Sequence, residues 1–334
     1  MNLKRDLRTA TGTKLDRRKF LSASGVAGGM ALLPMFSAVS APLSYGLKPV
    51  ELADGAWMVV GANEAITSKN GGAIANIVIL DTKDGAIVID TGPSKRYGVE
   101  LEALARSLTG KPVVRALLTH IHPDHVFGCQ AFSADALAAP QGVVDGLKES
   151  GEDFASAMYY LAGDWMRGTD VVLPQKIIVD GHEDIGERRL RYLVLQGHTD
   201  CDLAIFDERS GLLIASDLVF LDRAATTPHA DLGKWYASLE RLEEVNYSKL
   251  VPGHGPAESG RRGVDQTNQW LKMIEDKIGS AFDQGLSMPE AMEEPLPKWA
   301  ESIALARYEF GRSVMHLYPA LEQAQWPRVD RPTE

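Results

Sequence analysis

"LTHIHPDHVFG" occupies Leu118–Gly128 and closes the apolar run "PVVRAL". It crowds His120, His122, Asp124 and His125 into six positions. In an extended segment alternate side chains share a face, so His120 and His122 point to one side. Pro123 then turns the chain, and Asp124 and His125 open a helix. One extended pair followed by one pair at a helix start suits two adjacent metal ions.

Further ligands follow along the chain. "LVLQGHTD" offers His198, "LLIASDLVF" offers Asp217 and "KLVPGHG" offers His254. Glycine beside these histidines lets the backbone turn sharply and bring a ligand in close. A lone strand-end histidine ordinarily packs or hydrogen-bonds, and a lone aspartate ordinarily caps a turn. The ordered set, rather than any one motif, is what singles out metal chemistry.

This order of H-x-H-x-D-H, G-H-T, aspartate and G-H resembles the metallo-β-lactamase superfamily over roughly Val50–Pro256. The resemblance implies an α/β fold, a four-layer αββα sandwich. It implies that His120, His122 and His198 hold one metal, that Asp124, His125 and His254 hold a second, and that Asp217 bridges. Asp90 in "VIDTG" matches the superfamily's supporting aspartate, and Asp124 is also placed to orient the nucleophile. Imidazole and carboxylate ligands suit two Zn2+ ions, and iron or manganese would accept them as well. The implied enzyme is a binuclear zinc hydrolase. Its metal-bound hydroxide attacks an ester, thioester, lactone or amide carbonyl of a small molecule, with a thioesterase like glyoxalase II the leading form.

The stretches "GANEAITSKNGGAIANI", "GDWMRGTD", "GHTDCDLAIFDE" and "DLVFLDRAATTPHADL" narrow the resemblance to the quinoprotein relay system zinc metallohydrolases. That subgroup is exported and associated with periplasmic quinoprotein dehydrogenases, which makes such a dehydrogenase or its cytochrome an expected partner. Three other readings stay open: an iron-dependent persulfide dioxygenase-like enzyme, a β-lactamase, and a non-catalytic, metal-stabilised partner of the dehydrogenase.

Around these motifs the chain alternates strands and helices. "AIANIVILD" and "GAIVIDTG" are apolar runs joined by a turn at Asp84–Gly85, and "SKRYGVELEALARSLTG" is an amphipathic helix capped by Ser94 and stopped by Gly110. Residues 141–167 and most of 260–325 are expected helical. Arg223 and His229 fall on a loop after Asp217, placed to overhang the metals, and Asn70 is placed on a glycine-rich rim loop. The aromatic stretch "YYLAGDWM" is weighed between cleft lining and core, "GHEDIGERR" places His182 in a surface turn, and His316 lies on the terminal helix.

Residues 1–41 stand apart. Seven basic residues against two acidic ones precede a weakly apolar, small-residue stretch, and Arg17–Arg18 resembles a twin-arginine export signal. The expected organisation is a signal over 1–41 and one metallo-β-lactamase-fold domain with a helical tail over 42–334, located in the periplasm. Membrane attachment is expected only if the signal stays uncleaved. The net charge is −10, and losing the segment removes a net +5 and leaves −15. So acidic a chain argues against nucleic acid as a partner and favours small molecules or a basic protein. Two cysteines, Cys129 and Cys201, make no disulfide framework.

Overall fold

Strands buried on both faces read as nearly continuous apolar runs, and two such runs organise the first half of the chain. In a computed structural model, which describes residues 43–325, "IVILD" and "AIVI" become central strands of a seven-stranded sheet. Its strands are β1 (Pro49–Ala53), β2 (Ala56–Val59), β3 (Ile77–Asp81), β4 (Ala86–Ile89), β5 (Val113–Leu117), β6 (Leu137–Pro140) and β7 (Lys176–Ile178), in that spatial order. The pairs β1 to β4 are antiparallel and β4 to β7 are parallel.

A second sheet is built from β8 (Gly181–Ile185), β9 (Arg188–Leu195), β10 (Asp202–Asp207), β11 (Leu212–Phe220) and β12 (Lys249–His254), ordered β12-β11-β10-β9-β8. Only β11 and β12 run parallel in it. Helices α1 (Lys95–Thr109), α2 (Pro123–Val126) and α3 (Gln141–Ala162) follow strands of the first sheet. Helices α4 (Leu232–Glu243), α5 (Arg262–Asp283), α6 (Met288–Met292), α7 (Lys298–Glu301) and α8 (Ala306–Gln325) accompany the second.

The period of two along each strand decides the layering. Val78 and Leu80 of β3 enter a core shared with Leu190, Leu203 and Ile205 of the second sheet, whereas Ile77 and Ile79 enter a core shared with Leu101 of α1 and Val143 of α3. On the far side of the second sheet, Leu213 of β11 packs with Trp235, Trp270 and Phe310 of α4, α5 and α8. Helices, sheet, sheet, helices is the four-layer sandwich expected from the sequence. Local signals act as read: Ser94 Oγ accepts from Tyr97 N at 3.2 Å, and Gly110 ends α1 at φ 71°.

The edges differ from the sequence reading. His182 lies on edge strand β8 rather than in a turn, and its imidazole faces Glu208 at 3.3 Å. A polar edge strand carries no apolar run to announce it. Strand β6, "LAAP", was not expected either, because small residues and a proline lack strand character. Among the described residues no helix is long and apolar enough to cross a membrane. The twin-arginine reading lies outside the described residues.

Candidate metal centre

The ligand-bearing segments meet at one end of the two sheets. Leaving β5, His120 and His122 project together, and α2 presents Asp124 and His125. His198 follows β9, Asp217 lies in β11, and His254 ends β12. All seven side chains are buried. They fall into two groups, His120, His122, His198 and Asp217, and Asp124, His125 and His254, each with its ligand atoms within 4.8 Å of one another. Asp217 touches both groups. Its Oδ2 lies 3.3 Å from His198 Nε2 and 3.3 Å from His254 Nε2, while its Oδ1 lies 3.1 Å from His125 Nε2.

These residues fit metal ions. His120 Nε2, His125 Nε2 and Asp217 Oδ1 are buried without a hydrogen-bond partner, an arrangement that is costly unless something else satisfies them. His122 Nδ1 stands 2.8 Å from His198 Nε2, so two imidazole nitrogens converge on the same space. Burial and neighbouring imidazoles hold the His120 and His122 pKa values well below the usual histidine range, which keeps them in the neutral, ligating form. Burial works against a charge on His125, but Asp217, Asp124 and Asp90 outweigh it and push its pKa well above that range. Asp217 is buried too, yet His254 and His125 hold its carboxyl well below the ordinary value.

A second layer fixes the ligands. Asp90 Oδ2 accepts from His125 Nδ1 at 2.7 Å, which turns Nε2 toward the centre. Asp90 also accepts from Thr119 N and Thr119 Oγ1, both at 2.9 Å. Thr119 Oγ1 lies 2.9 Å from His120 Nδ1 and 2.8 Å from Ser216 Oγ. Its single proton goes to Asp90, so it accepts from the other two. Asp90 and Ser216 hold φ values of 64° and 47°, conformations rarely adopted by such residues and here locked by this network. Asp202 gathers the His198 loop, accepting from His198 N at 3.1 Å and Thr199 N at 3.0 Å. Asn76 ties the β3 entrance to the His254 loop by donating to Pro252 O at 2.9 Å and Gly255 O at 2.7 Å. A Cβ on Gly253 would sit 1.8 Å from Asp217 Oδ1, so only glycine admits the two segments side by side.

Of these supports only Asp90 was read from the sequence. Thr119 and Ser216 adjoin ligands and have no spacing signature of their own. His229 Nδ1 lies 2.9 Å from His122 Nε2, which places it against a ligand rather than merely above the site. Arg223 is buried beside His254.

A cavity of about 210 Å³ opens over the centre. Its floor is formed by His122, Asp124, Asp217 and His254, one wall by Phe154, Met158 and Leu161 of α3, and another by Arg223, Glu309 and Arg312. The glycine-rich loop reaches it through Ala65 and Ile66, not through Asn70. Asn70 instead organises the loop, accepting from Thr67 N at 2.9 Å and donating to Ala65 O at 2.8 Å. The aromatic stretch is divided: Trp165 is in the core, and Tyr160 is 90% exposed. Both cysteines are free thiols; burial pushes Cys129 up to about 12 and Cys201 up to about 11.

Comparison with known proteins agrees with this geometry. Residues 70–254 match the model of the metallo-beta-lactamase superfamily. The beta-lactamase-like protein 2 homolog of Caenorhabditis elegans is 23% identical over 63% of this chain and 65% of its own length. A linear primary-alkylsulfatase of a Pseudomonas species is 22% identical over 65% of this chain and 49% of its own length. The human acyl-coenzyme A thioesterase MBLAC2 is 24% identical over 54% of this chain and 72% of its own length. The chain thus spans about two thirds and one half of the first two relatives. Among solved structures, a metallo-beta-lactamase from Pontibacter korlensis superposes with a TM-score of 0.55 at 20% identity, over 68% of this chain and 99% of that one.

Proposed function

The chain belongs to the metallo-beta-lactamase superfamily, and from that premise we propose that it is a binuclear metallohydrolase acting on an ester or thioester carbonyl. The observation that carries this reading is the convergence of seven buried imidazole and carboxylate ligands beneath a cavity with an apolar wall. When bound, two zinc ions supply a water of lowered pKa and a Lewis acid.

The chain's own residues do the rest. Asp90 and Thr119 orient His125 and His120, so the ligands are set before substrate arrives. Asp124, on the cavity floor, orients the attacking water through its carboxylate. Phe154, Met158 and Leu161 exclude bulk water and hold the acyl part. In the net reaction water gives its hydroxyl to the carbonyl carbon and its remaining proton to the departing sulfur or oxygen. Thioesters lead the panel because one of the relatives is named an acyl-coenzyme A thioesterase.

The test is turnover of activated thioesters, esters, lactones and a β-lactam by the zinc-loaded chain. Hydrolysis that falls about 100-fold or more in Asp124→Asn supports the reading. No turnover of any carbonyl substrate, with oxygen uptake by the iron-loaded chain on a persulfide, would overturn it.

Residues 1–41 are proposed to export this enzyme, where a quinoprotein dehydrogenase system is its proposed partner. Normal export of Arg17→Lys with Arg18→Lys would sink the twin-arginine reading of that segment, and retention inside the cytoplasm would support it.

A further inference from the structure

Arg223 is a buried cation that the fold leaves short of acceptors. Only 3% of the residue is exposed. Its Nη1 lies 2.5 Å from His254 Nδ1, but the same nitrogen lies 2.8 Å from Ile74 O. A carbonyl oxygen only accepts, so Nδ1 carries a proton, donates it to Ile74 and has no lone pair for Arg223. Nη2 stands 4.0 Å from Glu309 Oε1, beyond hydrogen-bond reach. Nε is buried with no partner.

Glu309 is already engaged. Its two oxygens accept from Arg312 Nη1 at 3.0 and 3.2 Å. Arg223, Glu309 and Arg312 line one wall of the cavity above the ligands, so two guanidinium groups face a single wall carboxylate. The nearby carboxylates of Asp124 and Asp217 belong to the ligand set. A buried guanidinium with open donors is favourably placed beside a planar, two-oxygen anion, which its fork matches. Glu309 and Arg312 belong to α8 and lie beyond residues 70–254, so these two members of the wall, unlike Arg223, are outside the segment shared with the superfamily model.

We propose that Arg223 and Arg312 form an oxyanion subsite, and that the preferred substrate is an acyl ester or thioester bearing a second, carboxylate group. The proposal rests on the hydrolase reading for its reaction and on the Arg223 environment for its anion. The apolar stripe of Phe154, Met158 and Leu161 then faces the hydrocarbon between the two ends.

The experiment compares thioesters of one neutral thiol with pentanoyl and glutaryl chains, of equal carbon count, using the zinc-loaded full chain. The expected wild-type preference for glutaryl is tenfold or more in kcat/KM, carried mainly by KM, and the ratio collapses toward one in Arg312→Gln. Arg312 is 32% exposed, so this variant does not depend on refilling a buried site. Calorimetry of glutarate against its neutral diamide gives a readout independent of turnover, with binding at least tenfold weaker in Arg312→Gln. If neither thioester is cleaved, calorimetry alone decides the subsite, and the hydrolase reading is judged on its wider substrate panel. No glutaryl preference in a turning-over enzyme, or equal glutarate binding by wild type and Arg312→Gln, overturns the proposal.

Discussion

His122 uses both ring nitrogens: Nδ1 faces the centre beside His198, and Nε2 meets His229 Nδ1 at 2.9 Å. For Nδ1 to ligate, the proton must sit on Nε2, where His229 accepts it. His229→Leu removes that acceptor and is expected to weaken metal retention about 10- to 100-fold in a chelator competition, with His229→Asn recovering part of it. Wild-type retention in His229→Leu would contradict the assignment. The ligands were legible in the sequence because each closes an apolar run in a fixed order. Their supports were mostly not. Thr119 meets Ser216 across 97 residues, and Asn76 meets Pro252 across 176, separations at which short polar residues leave no pattern. Arg223 was legible as a loop residue near the site, but its lack of acceptors depends on α8, which sequence could only describe as helical.

Strand β8 shows why edges were harder to read than centres. It carries three polar residues in a row, His182, Glu183 and Asp184, and its Glu183 ties the two sheets together. Arg115 of β5 donates to Glu183 at 3.0 Å, Tyr192 of β9 donates at 2.7 Å, and Lys176 of β7 pairs with the same carboxylate. Burial opposes the charge on Glu183, but hydrogen bonds from Lys176 and Tyr192 and the charge of Arg115 outweigh it, so its pKa falls below the usual glutamate value of 4.5. A carboxylate pKa depressed on folding contributes stability that is present above the unfolded value and lost as pH falls through the folded one. Glu183→Gln is therefore expected to lower Tm at pH 7, with the difference shrinking as pH drops below 4.5. A Tm difference independent of pH between 7 and 3 would refute this role. The central strands, by contrast, were legible from their apolar runs, since burial on both faces leaves no room for polar residues.

At the scale of the molecule, the two sheets are joined through a buried ion pair as well as an apolar core. Arg188 of β9 is fully buried, pairs with Asp207, and donates to Asp81 O at 2.6 Å and Gly55 O at 2.5 Å in the first sheet. Arg188→Met leaves Asp207 as an unpaired buried charge and is expected to cost about 3–5 kcal/mol in denaturant unfolding; a loss below about 1 kcal/mol would contradict this. The same joining of halves creates the metal centre, because each sheet supplies ligands that neither could assemble alone. The sequence made this architecture readable through ordered motifs, while the contribution of α8 to the cavity wall became visible only once the helix was packed in place. Elemental analysis of the purified chain, paired with its Asp217→Ala variant, tests the central claim most directly. The account predicts about two divalent ions per chain and a fall toward one in the variant. A wild-type chain that binds no metal, or a variant that keeps the wild-type content, would contradict it.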